Sequence, residues 1–277
     1  MLTIAQITDL HITDIRGGEN MQRNDHRFRQ VLAAVHALAP RPVALVLSGD
    51  LVDNGAPEEY RRLQGLLKDC EIPLYMAVGN HDARQPFLEA FEGRGAWRDE
   101  DGFVQYALDL GGLRLVVGDT LEEGREGGAY CERRAAWLGR TLDAEPDLPT
   151  LLVLHHPPVV SGIKWMDPDP REDWILRLAG VLEGRRQIQT VACGHLHRAF
   201  HRSFAGQVVS VAPASSIQLT LNLTPIDLRR PDGREILNEE PPGFALHMWD
   251  GAGLTSHVCV AGDYPSAANY TVPFVGS

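Results

Sequence analysis

The feature that most constrains this chain is that five polar motifs each follow directly on an apolar, strand-like run. Residues 2–7 run into Thr8-Asp9-Leu10-His11. Residues 43–47 run into Ser48-Gly49-Asp50, residues 74–78 into Gly79-Asn80-His81-Asp82, residues 151–154 into His155-His156, and residues 188–192 into Cys193-Gly194-His195-Leu196-His197. Short continuous apolar runs mark strands covered on both faces. In open α/β sheets, side chains just beyond neighbouring strand ends converge on one rim. Five segments aimed at one rim predict a single site built from distant parts of the sequence.

The residue types at that rim define its chemistry. Asp9 and His11 are two apart on an extended segment and share a side, so both can reach one ion. Asp50 follows Gly49, where the backbone can turn sharply, and its two carboxylate oxygens suit it to bridge two ions. Asn80 offers a neutral amide oxygen, and His155, His195 and His197 add imidazole nitrogens. Mixed nitrogen and oxygen ligation suits two divalent transition-metal ions (Mn, Fe, Zn or Co) better than Ca or Mg. A two-metal site activates water and clamps a phosphoryl group, so a hydrolase of phosphate esters is expected. Taken singly, the motifs are weak. A lone His11 or His155 is more often a structural histidine, and a lone Asn80 more often holds a left-handed turn. Gly-Asn-His-Asp has a chance occurrence on the order of one in a thousand in such a chain, and the ordered set is far more specific. His26, His36, His201, His247 and His257 lie outside the pattern and read as surface groups.

Elsewhere the elements alternate. Asn24-Asp25 is expected to cap a helix carrying Phe28, Val31, Leu32, Val35 and Leu38 on one face, stopped by Pro40 and Pro42. Pro57 suits a first helical turn followed by the stripe of Tyr60, Leu63, Leu66 and Leu67. A hairpin is expected around Gly111-Gly112, helices over 133–142 and 174–182, and strands over 207–211, 245–249 and 255–260. The alternation of Ile217, Leu219, Leu221 and Leu223 predicts a strand with one apolar face. The stretch 223–242, rich in Pro, Arg, Asp and Glu, reads as a protruding hairpin or loop.

Composition narrows the function classes. The 277 residues carry a net charge of -11 with no basic face or stripe, which argues against stable nucleic-acid binding. Bound divalent cations would still make a pocket locally positive. The four cysteines form no C-x-x-C pair and are expected to be free thiols, as suits a cytoplasmic protein. Neither a signal peptide nor a membrane span is expected.

The motif series resembles the calcineurin-like metallophosphoesterase superfamily, and within it the bacterial class III cyclic-nucleotide phosphodiesterases and the promiscuous glycerophosphodiesterase near them. The likeness rests on Gly49-Asp50-Leu51-Val52, Gly79-Asn80-His81-Asp82, His155-His156-Pro157-Pro158, Met166-Asp167-Pro168, Cys193-Gly194-His195-Leu196-His197 and Pro242-Gly243-Phe244. It implies an α/β fold, a four-layer αββα sandwich with a small C-terminal β extension. The expected organisation is a catalytic core over 1–212, a dimerisation or cap arm over 213–243, and strands over 244–277 completing the core sheet. The resemblance further implies Asp9, His11, Asp50 and His197 on one metal, and Asp50, Asn80, His155 and His195 on the other. His81 is the expected catalytic group, and Asn80, His81 and His156 are the expected substrate contacts. Asp53, Asp82 and Asp119 are candidates to orient the ligating histidines. A small phosphodiester, either a cyclic nucleotide or a glycerophosphodiester, is the expected substrate of a homodimer or higher homo-oligomer. A phosphomonoesterase or nucleotide pyrophosphohydrolase is the alternative, and a non-catalytic metal-binding scaffold a more distant one.

Overall fold

The computed structural model describes residues 1–14, 18–95, 97–227 and 229–269. Its first part lays down β1 (Leu2–Ile7), α1 (Glu19–His36), β2 (Ala44–Ser48), α2 (Pro57–Leu66), β3 (Leu74–Ala77) and α3 (Arg84–Ala90). Then come β4 (Tyr106–Asp109), β5 (Arg114–Val117), α4 (Glu132–Ala144), β6 (Thr150–Val153), α5 (Asp173–Leu182), β7 (Ile188–Cys193), β8 (Phe200–Phe204) and β9 (Gln207–Val211). The short pair β10 (Gln218–Leu219) and β11 (Leu237–Asn238) precedes β12 (Gly243–Trp249) and β13 (Leu254–Val260).

Two sheets form the centre, one in the order β13-β12-β1-β2-β3 and the other in the order β4-β5-β6-β7-β9-β8. β1, β2 and β3 run parallel, as do β5, β6, β7 and β9. Strand periodicity explains the layering. Ile4, Val46 and Ala77 of the first sheet meet Leu115, Val117, Leu151 and Val153 of the second in a shared inner core. The alternate residues point outward. Ala5, Ile7, Leu45, Leu47 and Met76 pack under α1, α2 and α3 through Phe28, Val31, Tyr60, Leu63 and Phe87. Val116, Leu152 and Val191 pack under α4 and α5 through Leu138, Leu142, Trp174 and Leu178. Both faces of the central strands of both sheets are therefore apolar, and the fold is the expected four-layer αββα sandwich. β12 pairs antiparallel with β1, from Leu2 opposite Trp249 to Gln6 opposite Ala245, so the late strands extend the first sheet. The last part of the expected 244–277 segment, residues 270–277, lies outside the described residues.

Local expectations fail in two places. α1 begins at Glu19, so Asn24 and Asp25 lie within it and are not its cap. Asn24 Nδ2 donates to the His11 carbonyl at 2.9 Å, and Asp25 pairs with Arg62. Polar residues that could cap a helix serve here as buried ties. The expected strand through Leu223 shrinks to Gln218–Leu219, with Leu221 and Leu223 exposed. α3 and β8 had no clear sequence signal: α3 buries only Phe87, and β8 is a mostly polar edge strand.

Candidate dinuclear metal centre

The parallel strands of the two sheets deliver their carboxyl-end loops to one rim, and the backbone there is bent unusually. Asp9, His11, Asp50, His195 and His197 adopt φ of 53°, 47°, 48°, 70° and 48°. Among the described non-glycine residues only Ala205 joins them at positive φ. Each such residue costs about 1 kcal/mol or more, and conformations of this kind persist where surrounding structure over-determines them. Here the ties are visible. The Asp9 amide donates to the Gly49 carbonyl at 3.1 Å, and the Leu10 and His11 amides donate to the Asp50 carbonyl at 2.9 and 3.0 Å. Two motif glycines are required by space. Gly49 sits at φ +99°, and a Cβ there would lie 2.4 Å from His155 Nδ1. A Cβ on Gly79 would lie 2.3 Å from Asp50 Oδ1.

The seven side chains expected to ligate metal come together. Asp9, His11, Asp50 and His197 each offer a ligand atom within 4.8 Å of the others. His11 Nε2 is 3.0 Å from His197 Nε2 and 3.6 Å from Asp50 Oδ2, and His197 Nε2 is 3.5 Å from Asp9 Oδ1. On the other side of Asp50, its Oδ2 is 3.3 Å from His155 Nε2, while His195 Nδ1 faces Asn80 Oδ1 at 3.0 Å. Asp50 thus touches the first group and His155, and His155, His156 and His195 form a second group with ligand atoms within 4.8 Å of one another. Three of the histidines have their outer nitrogen occupied, which aims Nε2 inward. His11 Nδ1 meets Asp53 Oδ1 at 3.2 Å, His155 Nδ1 the Ser48 carbonyl at 2.9 Å, and His197 Nδ1 the Ile217 carbonyl at 2.7 Å. His155 Nε2 is fully buried and, short of a well-formed hydrogen bond, faces the Asp50 carboxylate at 3.3 Å. A divalent cation between the carboxylates and imidazoles would satisfy both. The residues fit such ions.

Without an ion, the charges in the cage are balanced among its own groups. Burial pushes the Asp9 carboxyl up to about 6 against the opposing pull of His155. Asp50 is buried as deeply, but His155 and His11 hold it well below the usual carboxylate range. His155 rises to about 9 because Asp50 and Asp9 outweigh its burial. Burial, reinforced by His155, takes His195 down to about 3, and burial also lowers His197, so both offer neutral ligating nitrogens.

Residues 2–199 match the calcineurin-like phosphoesterase family. The chain belongs to that family. It is 30% identical over 266 residues to a probable glycerophosphodiester phosphodiesterase, GpdQ, of Arcobacter nitrofigilis, covering 95% of this chain and 94% of that one. It is 32% identical over 255 residues to a probable cyclic nucleotide phosphodiesterase of Rhodococcus erythropolis, covering 89% and 80%. In fold it is similar to a dimetal phosphatase from Danio rerio, with TM-score 0.66 and 15% identity over 94% of this chain and 96% of that one. As a member of this phosphoesterase family the chain is a phosphodiesterase-type hydrolase with a divalent-metal site.

Around the centre of this family member, other residues fall as follows. The His81 amide donates to Asp50 Oδ1 at 2.9 Å, and its Nδ1 meets the Asp53 carbonyl at 2.8 Å. Although burial lowers it, Asp50 and the Asp53 carbonyl raise His81 overall, favouring the protonated ring. His156 lies beside His195 with ring centroids 4.7 Å apart; its Nδ1 meets Thr120 Oγ1 at 2.8 Å, and it groups with His155 and His195 as a further possible ligand. Of the three orienting candidates, Asp53 alone holds a ligating histidine. Asp82 instead accepts from the Gly79, Leu51 and Val52 amides and from Tyr60 Oη, tying two ligand loops together. Asp119 is neutralised by Arg84 and Arg134. His247 is a correction: it is 1% exposed rather than a surface group, with its nitrogens on Gln6 and Ser256. Sequence reasoning missed Glu126, whose Oε2 accepts from Asn80 Nδ2 at 3.2 Å and so turns the amide oxygen toward His195. Its only signal was a Gly-rich, acidic loop far from any strand end.

Proposed function

We propose that this protein is a two-metal phosphodiesterase that hydrolyses small phosphodiesters, with cyclic nucleotides and glycerophosphodiesters as its substrate classes. The observation that carries this reading is the group of Asp9, His11, Asp50 and His197 beside the group of His155, His156 and His195, joined by the 3.3 Å contact of Asp50 with His155. Asp9, His11, Asp50 and His197 would hold one ion, and Asp50, Asn80, His155 and His195 the other, from among Mn, Fe, Zn and Co. When bound, such a pair supplies an activated water and neutralises charge on phosphoryl oxygens.

The chain's own groups do the rest. His81 Nδ1–H donates to the Asp53 carbonyl, which leaves Nε2 for the cavity it lines. We assign it the role of holding a proton for the leaving oxygen. Asn80 and His156 complete the substrate contacts. The Thr120 hydroxyl accepts from the His156 amide at 3.2 Å and has its own proton to give to Nδ1, leaving His156 Nε2 as a neutral donor.

The 213–243 segment we read as a cap on the 1–212 core, with 244–277 as the finishing strands. Its support is that Ile217, Leu219 and Leu237 line the cavity holding the metal donors, while Arg27 donates to the Ser216 and Glu240 carbonyls. The exposed Leu221, Leu223 and Ile236 offer a surface for homo-oligomer contact, which light scattering would test. Free thiols at all four cysteines suit a cytoplasmic location. No helix among the described residues is long and apolar enough to cross a membrane.

The deciding experiment compares bis(4-nitrophenyl) phosphate, 4-nitrophenyl phosphate, cyclic AMP and glycerophosphoethanolamine on metal-reconstituted protein. Preference for the diesters is expected. Preference for the monoester would overturn the reading, and activity toward none with metals bound would leave a scaffold.

A further inference from the structure

Gln6 is a polar side chain in an apolar place. It is 1% exposed and follows Ile4 on the face of β1 that looks into the inner core, with Val46, Val153 and Ala192. Its carboxamide is fully used. Nε2 donates to Ser48 Oγ at 2.8 Å, on the neighbouring strand β2, and to the Cys193 carbonyl at 3.0 Å, at the end of β7 in the other sheet. Oε1 meets His247 Nε2 at 3.0 Å, and His247 Nδ1 meets Ser256 Oγ at 2.8 Å. In a neutral His247 whose Nδ1 accepts from the Ser256 hydroxyl, Nε2–H donates to Oε1. That settles which way the Gln6 amide points.

The atoms that Gln6 holds lie just before the metal donors in the chain. Ser48 is two residues before Asp50, Cys193 two before His195, and Gln6 itself three before Asp9. The Ser48 carbonyl accepts from His155 Nδ1 at 2.9 Å, and the Gly194 amide donates to the His155 carbonyl at 3.0 Å. One carboxamide thus joins β1, β2 and β7, and reaches the end of β6 through Ser48 and His155. Those strands carry Asp9, Asp50, His195 and His155.

We infer that Gln6 is a positioning residue for the dinuclear centre: its carboxamide fixes the offset of the two sheets at the rim, and so sets His155 and His195 against Asp9 and Asp50. The inference rests on the two-metal reading and adds the group that sets the dimensions of that cage. Apolar contact is non-directional, so Ile4, Val46 and Val153 hold the sheets together without fixing their offset. Hydrogen bonds fix both length and angle. An apolar side chain at this position would fill the core without the cost of desolvating an amide, so the amide contributes geometry rather than cohesion. Ligands supplied by two sheets need supports locked to within about 0.5 Å.

The test titrates chelator-treated protein with Mn(II) by calorimetry, in the wild type, Gln6→Met and Val46→Ala. Val46 is the neighbour of Gln6 in the β1–β2 register and packs in the same inner core, but its side chain makes none of these ties. Both variants should lower the unfolding midpoint, Val46→Ala by opening a cavity. Gln6→Met alone should weaken the second Mn(II) site, by about tenfold or more, and should change the EPR spectrum of the coupled ion pair, which reads the ion–ion separation. Ser48→Ala, which removes one acceptor of the amide, should weaken the same site severalfold. It decides the matter where Gln6→Met does not fold, and unchanged affinity there overturns the inference. Unchanged affinity and spectrum in Gln6→Met, or an equal loss in Val46→Ala, would also overturn it and leave the two-metal reading standing. A wild-type chain that takes up one ion or none would end the two-metal reading, and the inference with it.

Discussion

Asp82→Asn should loosen the site without removing any ligand. The Asp82 carboxylate is 4% exposed and receives four donors: the Gly79 amide at 2.8 Å, the Leu51 amide at 3.2 Å, the Val52 amide at 3.4 Å and Tyr60 Oη at 3.0 Å. An asparagine of the same shape accepts on one side only. Its better orientation keeps the oxygen on Gly79 and Leu51 and turns the amide toward Val52 and Tyr60. Tyr60 can reorient and accept, but the Val52 amide is then left buried and unsatisfied, at about 1–3 kcal/mol. We expect a loss of about 1–3 kcal/mol, read by urea unfolding of chelator-treated protein. The measurement belongs at pH 5.5, below the value of about 7 to which burial and Asp50 push Asp82, because a raised carboxyl loses stability as pH climbs through that value. Because Asp82 joins the loops of Asp50 and Asn80, the second metal should also bind more weakly by calorimetric titration. A stability change under 0.5 kcal/mol with unaltered metal binding would refute this account of how the loops are held.

Three further outcomes follow from other contacts. Asn80→Ala should reduce the metal content from two ions per chain toward one and lower turnover by more than the roughly 10–100-fold typical of an outer partner; elemental analysis giving two ions and full activity would contradict the ligand assignment. Arg27→Met removes the guanidinium bonds to Ser216 and Glu240 that pin the arm, so trypsin should cut after Arg229 several times faster, and an unchanged rate would mean that the arm is held elsewhere. Burial lowers His247 to about 4. It therefore contributes stability above its unfolded value near 6.5 that is lost as pH falls toward 4, about 2 kcal/mol of it between pH 8 and pH 5. His247→Gln should flatten that part of the stability–pH curve, and a curve of unchanged slope would show that the charge is accommodated.

The motifs were legible because each lies where an apolar run ends, and the run itself fixes which way the next residues face. Leu45 and Leu47 face the helices while Val46 faces the other sheet, so the run from 43 to 47 had to be doubly covered and Asp50 had to emerge at a rim. Residues that act through loops left no such trace. Glu126 reaches Asn80 across 46 positions from a glycine-rich turn, and nothing periodic leads to it. Asn24 and Asp25 misled because a capping residue and a buried tie use the same short polar side chains. His247 reads as polar in sequence, but β12 lies between β1 and β13, where Gln6 and Ser256 meet both its nitrogens.

Five of the groups that would bind metal stand on left-handed backbone, and this sets catalysis against endurance. Glycine at Asp9, His11, Asp50, His195 or His197 would relieve local distortion as it deletes a donor, so the ion-free chain should tolerate such changes well and could gain stability from them. Selection for robustness alone would erode this centre one residue at a time. Its persistence in a lineage would therefore be a record of the chemistry it performs.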